Sequence, residues 1–424
     1  MIRTACVLFF LIVLSSCSSS KNERVYYIAV ADANKAAAPK KAKAAPKESR
    51  PKPHKITIRD AVLESLENNR VVLIFIEQEG IARANTALAK SDLLPSFAAN
   101  LNYERLSEQF ENTIGPVKVP LGPQDQWNFA ISADFPIYSF GRYLNAYRAA
   151  KLAQAGTTAD RKAAENDIAE AVTAAAFDYL ETKALVEVAM QNAEALSQQL
   201  KDARAQQAAG RVTLADVLDA EVEHSNAVRV HERLISLVPV RRKVLNRILA
   251  RPVDYPTDLD DQRLSTEPTW TLEEIEAQAL VARPELESGR MAVASSEKQV
   301  KAVRGLLYPE LRGNIAFTAT DNDFRSPQDL GIFGLDLQIP IWLGGANRAR
   351  LRRAKREAEQ SRIAYADLEA QVQTEVAEAH RDIVEDFKDI AVAQKTVEQS
   401  EESLRIQQRK YENGRATNRE VLLS

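Results

Sequence analysis

The sequence is poor in the residues that interrupt regular structure. Only 14 glycines, 17 prolines and 6 % aromatic residues occur in 424 positions, and Ala, Glu, Gln, Lys, Arg and Leu dominate. This bias is typical of long helices and disfavours a loop-rich enzyme or a β-sandwich. Because the net charge is only −3, the chain as a whole lacks the charge excess that would indicate a nucleic-acid partner.

Cysteine is nearly absent. Both cysteines, Cys6 and Cys17, lie in the first twenty residues, so the rest of the sequence offers no disulfide and no thiolate metal site. A positive start, a ten-residue apolar run at 5–14 and small residues before Cys17 predict an export signal over 1–16. The ending is similar to a bacterial lipobox, which would make Cys17 the lipid-modified first residue of the mature protein. An ordinary secretory signal with an incidental cysteine is the alternative.

Residues 17–55 are expected to form a lipid anchor and a tether. The stretch 35–55 is rich in Ala, Lys and Pro and contains one acidic residue, a composition that cannot bury a core. A plain spacer, contact with an anionic envelope surface and a nucleic-acid arm all fit such a segment. A position just behind an export signal argues against nucleic acid.

Residues for catalysis or metal binding are also sparse. The sequence has four histidines and three methionines, and it contains no nucleophile elbow, phosphate loop or metal box. His224 and His231 are seven positions apart on a predicted helix, but without a third ligand we interpret them as surface residues. We therefore predict that the protein is not an enzyme and has neither a cofactor nor a metal site.

The chain does contain an internal repeat. GRVTLADVL at 210–218 returns as GRATNREVL at 414–422, and FPIYSFGR at 135–142 returns as IPIWLGGA at 339–346. Pro136 and Pro340 are 204 positions apart, and so are Gly210 and Gly414. The constant offset indicates one structural element built twice, as repeat 1 (56–252) and repeat 2 (269–424) around a polar linker at 253–268.

Each repeat is predicted to contain a helix, a β-hairpin and a long helical hairpin. Alternating apolar residues predict strands at 97–105 and 127–137, and again at 312–320 and 333–342. The absence of proline between Gly141 and Gly210 predicts a helix of roughly 65–70 residues, on the order of 100 Å. A heptad pattern from Ile168 to Ala203 supports this helix, which would belong to a helical hairpin over 141–250. Its counterpart is a long helix over 345–413. Only ten residues follow Gly414, against about forty after Gly210, so the final helix is expected to be truncated.

The sequence resembles the TolC-like outer membrane efflux protein family in a lipoprotein form. The resemblance rests on these repeated phrases, together with LLPS at 93–96, QAAGRVTLADVL at 207–218 and their second-half partners. The resemblance covers nearly all of the chain from Ile56 onward. It implies a mainly α fold with a small transmembrane β part, in which a homotrimer forms a 12-stranded outer-membrane barrel above a periplasmic coiled-coil tunnel. Independently, four strands cannot close a barrel, and open strand edges in lipid are costly, so several chains must share one barrel.

The resemblance also implies a function. The protein would be a lipid-anchored outer-membrane exit duct of a tripartite efflux or type I secretion system, a passive channel opened by a periplasmic adaptor (membrane fusion) protein and an inner-membrane RND or ABC transporter. Drugs, metal ions and secreted polypeptides all fit as cargo. The alternative is a lipid-anchored coiled-coil envelope spacer without channel activity. The two amphipathic hairpins favour the duct, because a spacer has no use for them.

The glycine phrases are expected at the periplasmic tips. The resemblance implies that the tip turns dock the adaptor, through Gly210, Thr213, Gly414 and Thr417. It also implies a ring of carboxylates that filters cations at the entrance, formed by Asp216, Asp219 and Glu420. Arg211 and Arg415 would pair with these acids across neighbouring hairpins and hold the entrance shut, or would pair with the adaptor. The alternatives are acids that only complement the helix dipole and arginines that are only solvated.

Three aromatic residues lie near the ends of the predicted strands: Trp127, Tyr138 and Trp342. Amphipathic rings favour the boundary between lipid and water. We therefore expect all three at the membrane interface, in contact with outer-membrane lipid.

Overall fold

Seven α-helices and eight strands form the part of the chain that the structure describes. This computed structural model describes residues 54–260 and 270–412. The helices are α1 (Ile58–Asn68), α2 (Arg70–Ser91), α3 (Arg142–Ala208), α4 (Leu214–Ile248), α5 (Leu272–Ala282), α6 (Pro284–Arg304) and α7 (Ala346–Glu412). The strands are β1 (His54–Ile56), β2 (Ser96–Arg105), β3 (Glu111–Ile114), β4 (Val117–Pro120), β5 (Asp125–Tyr138), β6 (Thr257–Leu259), β7 (Glu310–Thr320) and β8 (Asp329–Gln338).

The two longest helices follow from the scarcity of helix breakers. α3 and α7 each contain 67 residues, on the order of 100 Å at 1.5 Å per residue. Every member of the predicted heptad pattern from Ile168 to Ala203 is buried or half-buried, since α3 packs against α1, α2, α4 and α6. Near the far end of the hairpin, Leu200 and Ala203 of α3 form a small cluster with Val217 and Ala220 of α4.

Capping residues set the start of the short helices. The Thr57 side chain accepts a hydrogen bond from the Asp60 N–H at the start of α1. Thr271 forms a reciprocal capping box with Glu274 at the start of α5. Pro284 is among the first residues of α6, where its missing N–H costs nothing. Each repeat therefore opens with two helices in series that lead to its hairpin.

One antiparallel sheet combines the hairpins of the two repeats. Its strand order is β2-β5-β7-β8, so the repeats meet where β5 pairs with β7. The register shifts between Pro136 and Tyr138, because proline cannot donate to the ladder. β2 and β8 are the outer strands, and each leaves one side of its backbone without a partner strand among the described residues. None of the described helices is both long and apolar enough to cross a bilayer.

The strand predicted at 333–342 is wrong at both ends. The observed strand β8 runs over Asp329–Gln338, because Pro340 cannot continue the ladder. Residues 339–345 form a loop into α7, and Gly344 and Gly345 adopt positive φ angles of 61° and 81° there. Trp342 therefore lies in this loop, beyond the strand that was predicted to contain it.

The longer loop of the first repeat contains an additional hairpin. β3 and β4 pair antiparallel from Glu111 opposite Pro120 to Ile114 opposite Val117. The sequence pattern predicted no strands in this loop. Polar residues such as Asn112 and Lys118 obscure the alternation that marks a strand.

Part of the predicted linker contributes to the core. Strand β6, within 253–268, pairs in parallel with β1, which includes the last residues of the predicted tether. Leu259 and Ile56 are buried with Val172, Tyr179 and Leu245. Residues 261–268 of the linker lie outside the described residues.

A network of polar side chains connects the segment 251–257 to α4. The Thr257 hydroxyl donates to Asn246 Oδ1 at 2.6 Å, and the Asn246 amide donates to the carbonyls of Val253 and Tyr255 at 3.0 and 2.8 Å. Arg251 donates to both carboxylate oxygens of Glu64 on α1, at 2.6 and 2.5 Å, and to Thr257 Oγ1 at 2.9 Å. The side chains of Arg251 and Glu64 are 12 % and 31 % exposed. The network therefore ties the end of α4 to the start of the first repeat.

Replacing Arg251 with alanine should lower the free energy of unfolding by roughly 3 kcal/mol, because Glu64 would keep a partly buried charge without its partner. The matched control is Arg381→Ala. Arg381 contacts Asp382 at 2.6 Å, but both side chains are exposed, so its loss should cost less than about 1 kcal/mol. Thermal unfolding in detergent provides the comparison, and equal shifts for the two variants would contradict the assignment.

Candidate functional site

A tight turn at Gly210 joins α3 to α4. The N–H of Gly210 donates to the Gln207 carbonyl at 2.9 Å, and the N–H of Arg211 donates to the Gln206 carbonyl at 2.9 Å. These two bonds form a Schellman ending, which requires a left-handed residue after the helix. Gly210 supplies it with φ at 71°, a conformation that strains other residues. The glycine phrase therefore marks the tip of the helical hairpin.

The next residues form a capping box at the start of α4. Asp216 Oδ2 accepts hydrogen bonds from the Thr213 hydroxyl at 2.7 Å and from the Thr213 N–H at 2.8 Å. In return, the Asp216 N–H donates to Thr213 Oγ1 at 3.3 Å. The hydroxyl bond, followed by the backbone bond, holds the pKa of Asp216 below its usual range. The predicted entrance acid Asp216 therefore has a structural partner at the helix start.

Asp219 and Arg211 differ from Asp216 in this respect. Both side chains are exposed, and neither forms an ion pair with another residue in the described part of the chain. Within this hairpin Asp216 bonds to Thr213. The predicted pairing of Arg211 with the acids of neighbouring hairpins stays a prediction. Near the tip, Arg204 and Glu221 form an ion pair across the hairpin at 3.5 Å. Sequence reasoning missed it, although both residues lie at similar distances from the turn.

The four-stranded sheet is the second candidate surface, and it has two different faces. Large apolar side chains project from one face of all four strands and are exposed. They are Phe97, Leu101, Tyr103, Trp127, Phe129, Ile131, Ile315, Phe317, Phe333 and Leu335. Direct strand pairing, such as Ile131 with Phe317, makes this face continuous across the two repeats.

Polar or small residues predominate on the opposite face. They include Asn128, Ser132, Asp134, Asn314, Ala316 and Thr318, with Leu330 and Ile332 of β8 as exceptions. Asn314 donates to Asp134 Oδ1 at 3.1 Å across the repeat boundary. The sheet thus has one apolar face and one mostly polar face.

Aromatic rings occupy both ends of the sheet. At the loop end, Tyr103 and Trp127 lie opposite each other with ring centroids 4.7 Å apart. At the helix end, Phe140 contacts Tyr138 at 4.7 Å and stacks on Tyr308 at 5.0 Å. The strand from 127 to 138 is roughly 35 Å long at about 3.3 Å per residue, and a tilt of about 45° reduces this to roughly 25 Å, the height of a membrane band.

Comparison with known proteins identifies the family of this fold. The family described as "Outer membrane efflux protein" matches residues 63–231 and 277–423, which is most of the chain. The chain belongs to the outer membrane efflux protein family. This assignment confirms the predicted family and the prediction that the protein is not an enzyme.

Individual relatives agree with the family assignment. Outer membrane efflux protein BepC of Brucella suis is 25 % identical over 321 residues, which cover 72 % of this chain and 65 % of BepC. The match thus spans less than two thirds of that relative's length. The fold is similar to CusC (18 % identity, 87 % and 85 % of the two chains, TM-score 0.76) and to VceC of Vibrio cholerae (17 % identity, 86 % and 88 %, TM-score 0.75).

Several predicted site residues of this efflux family member lie outside the described residues. These are the lipidation site Cys17 and the second tip, with Gly414, Arg415, Thr417 and Glu420. His224 and His231 are half-buried on α4. In the described ranges, no group of three or more His, Cys, Asp or Glu side chains is arranged to hold a metal ion.

Replacing Asp216 with alanine should loosen the first turn of α4, whereas the same change at Asp219 should not, because only Asp216 belongs to the capping box. Hydrogen exchange of the amides at 213–217 measures the difference. Since the folded pKa of Asp216 is lowered, its contribution is present at neutral pH and lost as the pH falls through that lowered value. Equal exchange in both variants would show that the box does not hold the turn.

Proposed function

We propose that the chain forms a passive exit duct in the outer membrane. The two-faced sheet is the observation that carries the proposal. Phe333 and Leu335 are 82 % and 75 % exposed in the single chain, and a continuous apolar face of this size is unfavourable in water. Lipid would cover the apolar face, while the polar face would line a water-filled lumen.

The open edges of the sheet support assembly into a homotrimer. Inside lipid, the unpaired backbone groups of β2 and β8 would each cost several kcal/mol. If β8 of one copy pairs with β2 of the next around a closed ring, every edge is satisfied. Three copies of the four-stranded sheet give twelve strands, within the range of bacterial barrels.

Exposed apolar residues on the helices support a shared coiled-coil tunnel. Ile74, Ile81 and Leu88 recur every seven residues on α2, and all are exposed. On α7 the same spacing connects Ile383, Ile390, Val397 and Leu404, again all exposed. A heptad spacing is the signature of helices that pack side by side, so both stripes would be covered by neighbouring helices in the assembly.

The duct would act as the outer component of a tripartite efflux or type I secretion system. Family membership supports a role in efflux. A periplasmic adaptor would dock at the tips formed by Gly210, Thr213, Gly414 and Thr417, and an RND or ABC transporter in the inner membrane would supply energy. Cys17 would carry the lipid anchor. At the entrance, Asp216, Asp219 and Glu420 would form the acidic ring, with Arg211 and Arg415 beside it.

Neighbouring residues on the two faces of β7 test the duct. Ile315→Lys puts a charge on the apolar face, which should cost about 2–4 kcal/mol near the bilayer midplane and block stable insertion. Ala316→Lys, one position along the same strand, puts the charge on the polar face and should permit insertion. Heat-modifiable mobility after reconstitution into vesicles reports insertion. The ion selectivity of the Ala316→Lys channel should shift toward anions.

Similar behaviour of the two lysine variants would contradict this orientation of the sheet. A wild-type protein that remains a soluble rod after removal of the lipid, without ion conductance, would instead indicate a coiled-coil envelope spacer.

The acidic entrance is tested best at Asp219, because Asp219→Asn removes a charge without disturbing the capping box. We expect weaker cation selectivity and weaker block by divalent cations in planar bilayers, since fewer carboxylates would concentrate cations at the constriction. Glu232→Gln, which neutralises an exposed acid farther along α4, is the control and should behave as wild type. Unchanged selectivity in Asp219→Asn would refute the gate assignment.

A further inference from the structure

Positive side chains are concentrated at the start of α7, next to the sheet. Six cations occur in the first eleven residues of this helix, before its first acid at Glu357. They are Arg348, Arg350, Arg352, Arg353, Lys355 and Arg356. All six are exposed.

Few of these cations have a partner in the described part of the chain. Arg353 pairs with Glu357 at 2.7 Å, and Arg350 donates to Asn347 Oδ1 at 3.0 Å. The remaining four form no ion pair among the described residues, and we call them the basic collar: Arg348, Arg352, Lys355 and Arg356.

The helix itself disfavours this arrangement. The N-terminus of a helix carries a partial positive charge, so cations in its first turns are unfavourable. Arg348 and Arg352 are four positions apart, as are Arg352 and Arg356, and like charges at this spacing repel each other. A nearby anion would offset both effects.

Adjacent helix ends add positive charge at the same level. The last turn of α2 contains Lys90, and the last turn of α6 contains Lys301 and Arg304. α7 is fixed beside α6, because the Asn347 amide donates to the Leu306 carbonyl at 2.7 Å. The cations of three helices therefore lie at the end of the helices that adjoins the sheet.

A cavity of 130 Å³ opens at this junction, lined in part by Arg142, Glu310 and Arg350. The Glu310 carboxylate in this lining is already neutralised, since it contacts Arg142 at 3.1 Å and Arg312 at 3.5 Å. The junction thus has an excess of positive charge at the level where the strands end.

The loop before α7 gives the collar an apolar neighbour. Ile341 and Trp342 are 91 % and 81 % exposed, and Leu343 is also exposed. Apolar side chains followed by cations are typical of segments that lie at the boundary between lipid tails and headgroups.

We propose that the basic collar and loop 339–343 bind anionic phospholipids in the leaflet that faces the helices. The proposal rests on one part of the proposed function, the insertion of the sheet into the membrane, and does not require conduction. The loop would enter the acyl region, and the arginines would hydrogen-bond to lipid phosphates, for which guanidinium groups are well suited. Bound lipid would thereby fix the height of the barrel in the membrane.

Titration of the full-length protein in detergent with phosphatidylglycerol or phosphatidylcholine, followed by native mass spectrometry, tests the proposal. We expect wild type to bind phosphatidylglycerol roughly tenfold more strongly or better, and the preference should weaken as salt is added. The combined variant Arg348→Gln, Arg352→Gln, Lys355→Gln and Arg356→Gln should lose it. The matched control removes four exposed cations far from the sheet, Lys201, Arg229, Lys388 and Lys395, and should keep it.

The outcomes separate this proposal from the proposed function, because conductance is measured on the same proteins. A collar variant that conducts but no longer prefers phosphatidylglycerol supports lipid binding. If it keeps the preference, the proposal is overturned. If wild type prefers phosphatidylglycerol but conducts in no membrane, the duct fails while lipid binding stands.

A charge-preserving variant covers the case in which the collar variant does not assemble. Arg348→Lys, Arg352→Lys and Arg356→Lys together retain all four charges and should retain the preference. If trimers are lost in the glutamine variant while its monomers still prefer phosphatidylglycerol, the cations hold a neighbouring copy instead of lipid, and the proposal is overturned.

Discussion

The hydrogen-bond ladder of the four-stranded sheet stops at β2 on one side and at β8 on the other. Most features of this chain depend on how those two edges are satisfied. In water they would be solvated, but the exposed apolar face would then remain uncovered. In lipid the apolar face is covered, and the edges must find partners in other copies. If the chain inserts into a membrane as proposed, the sheet would link insertion to oligomerisation, since neither would be favourable without the other.

The repeat determines how the helices meet the sheet. Each copy of the repeat supplies one hairpin followed by a helix of 67 residues. The β5–β7 and β7–β8 pairings place the starts of the two long helices at the same end of the sheet. The contact between Asn347 and the Leu306 carbonyl and the ion pair of Arg142 with Glu310 lie at this junction. These two contacts fix the orientation of the long helices relative to the strands, although the helices are on the order of 100 Å long.

Features that depend on local pattern could be predicted from the sequence. The heptad positions of α3 and the glycine turn each depend on residues within a few positions of one another. The contact of Arg251 with Glu64 could not be predicted, because 187 positions separate the two residues. The pairing of β1 with β6 could not be predicted for the same reason, since these strands are also far apart in the sequence. The end of β8 was misplaced because apolar residues continue past Pro340, where the ladder has already ended.

At the tip of the helical hairpin, too, the sequence alone did not show which side chains contact each other. Sequence reasoning grouped Asp216 and Asp219 as equivalent acids, because they are three positions apart on one helix. The structure separates them, since Asp216 bonds to the Thr213 hydroxyl and backbone while Asp219 is exposed. A carboxylate that already accepts two hydrogen bonds has less capacity to bind a passing cation than one that faces solvent. If the entrance selects cations, Asp219 should contribute more than Asp216, although the two residues lie less than one helical turn apart.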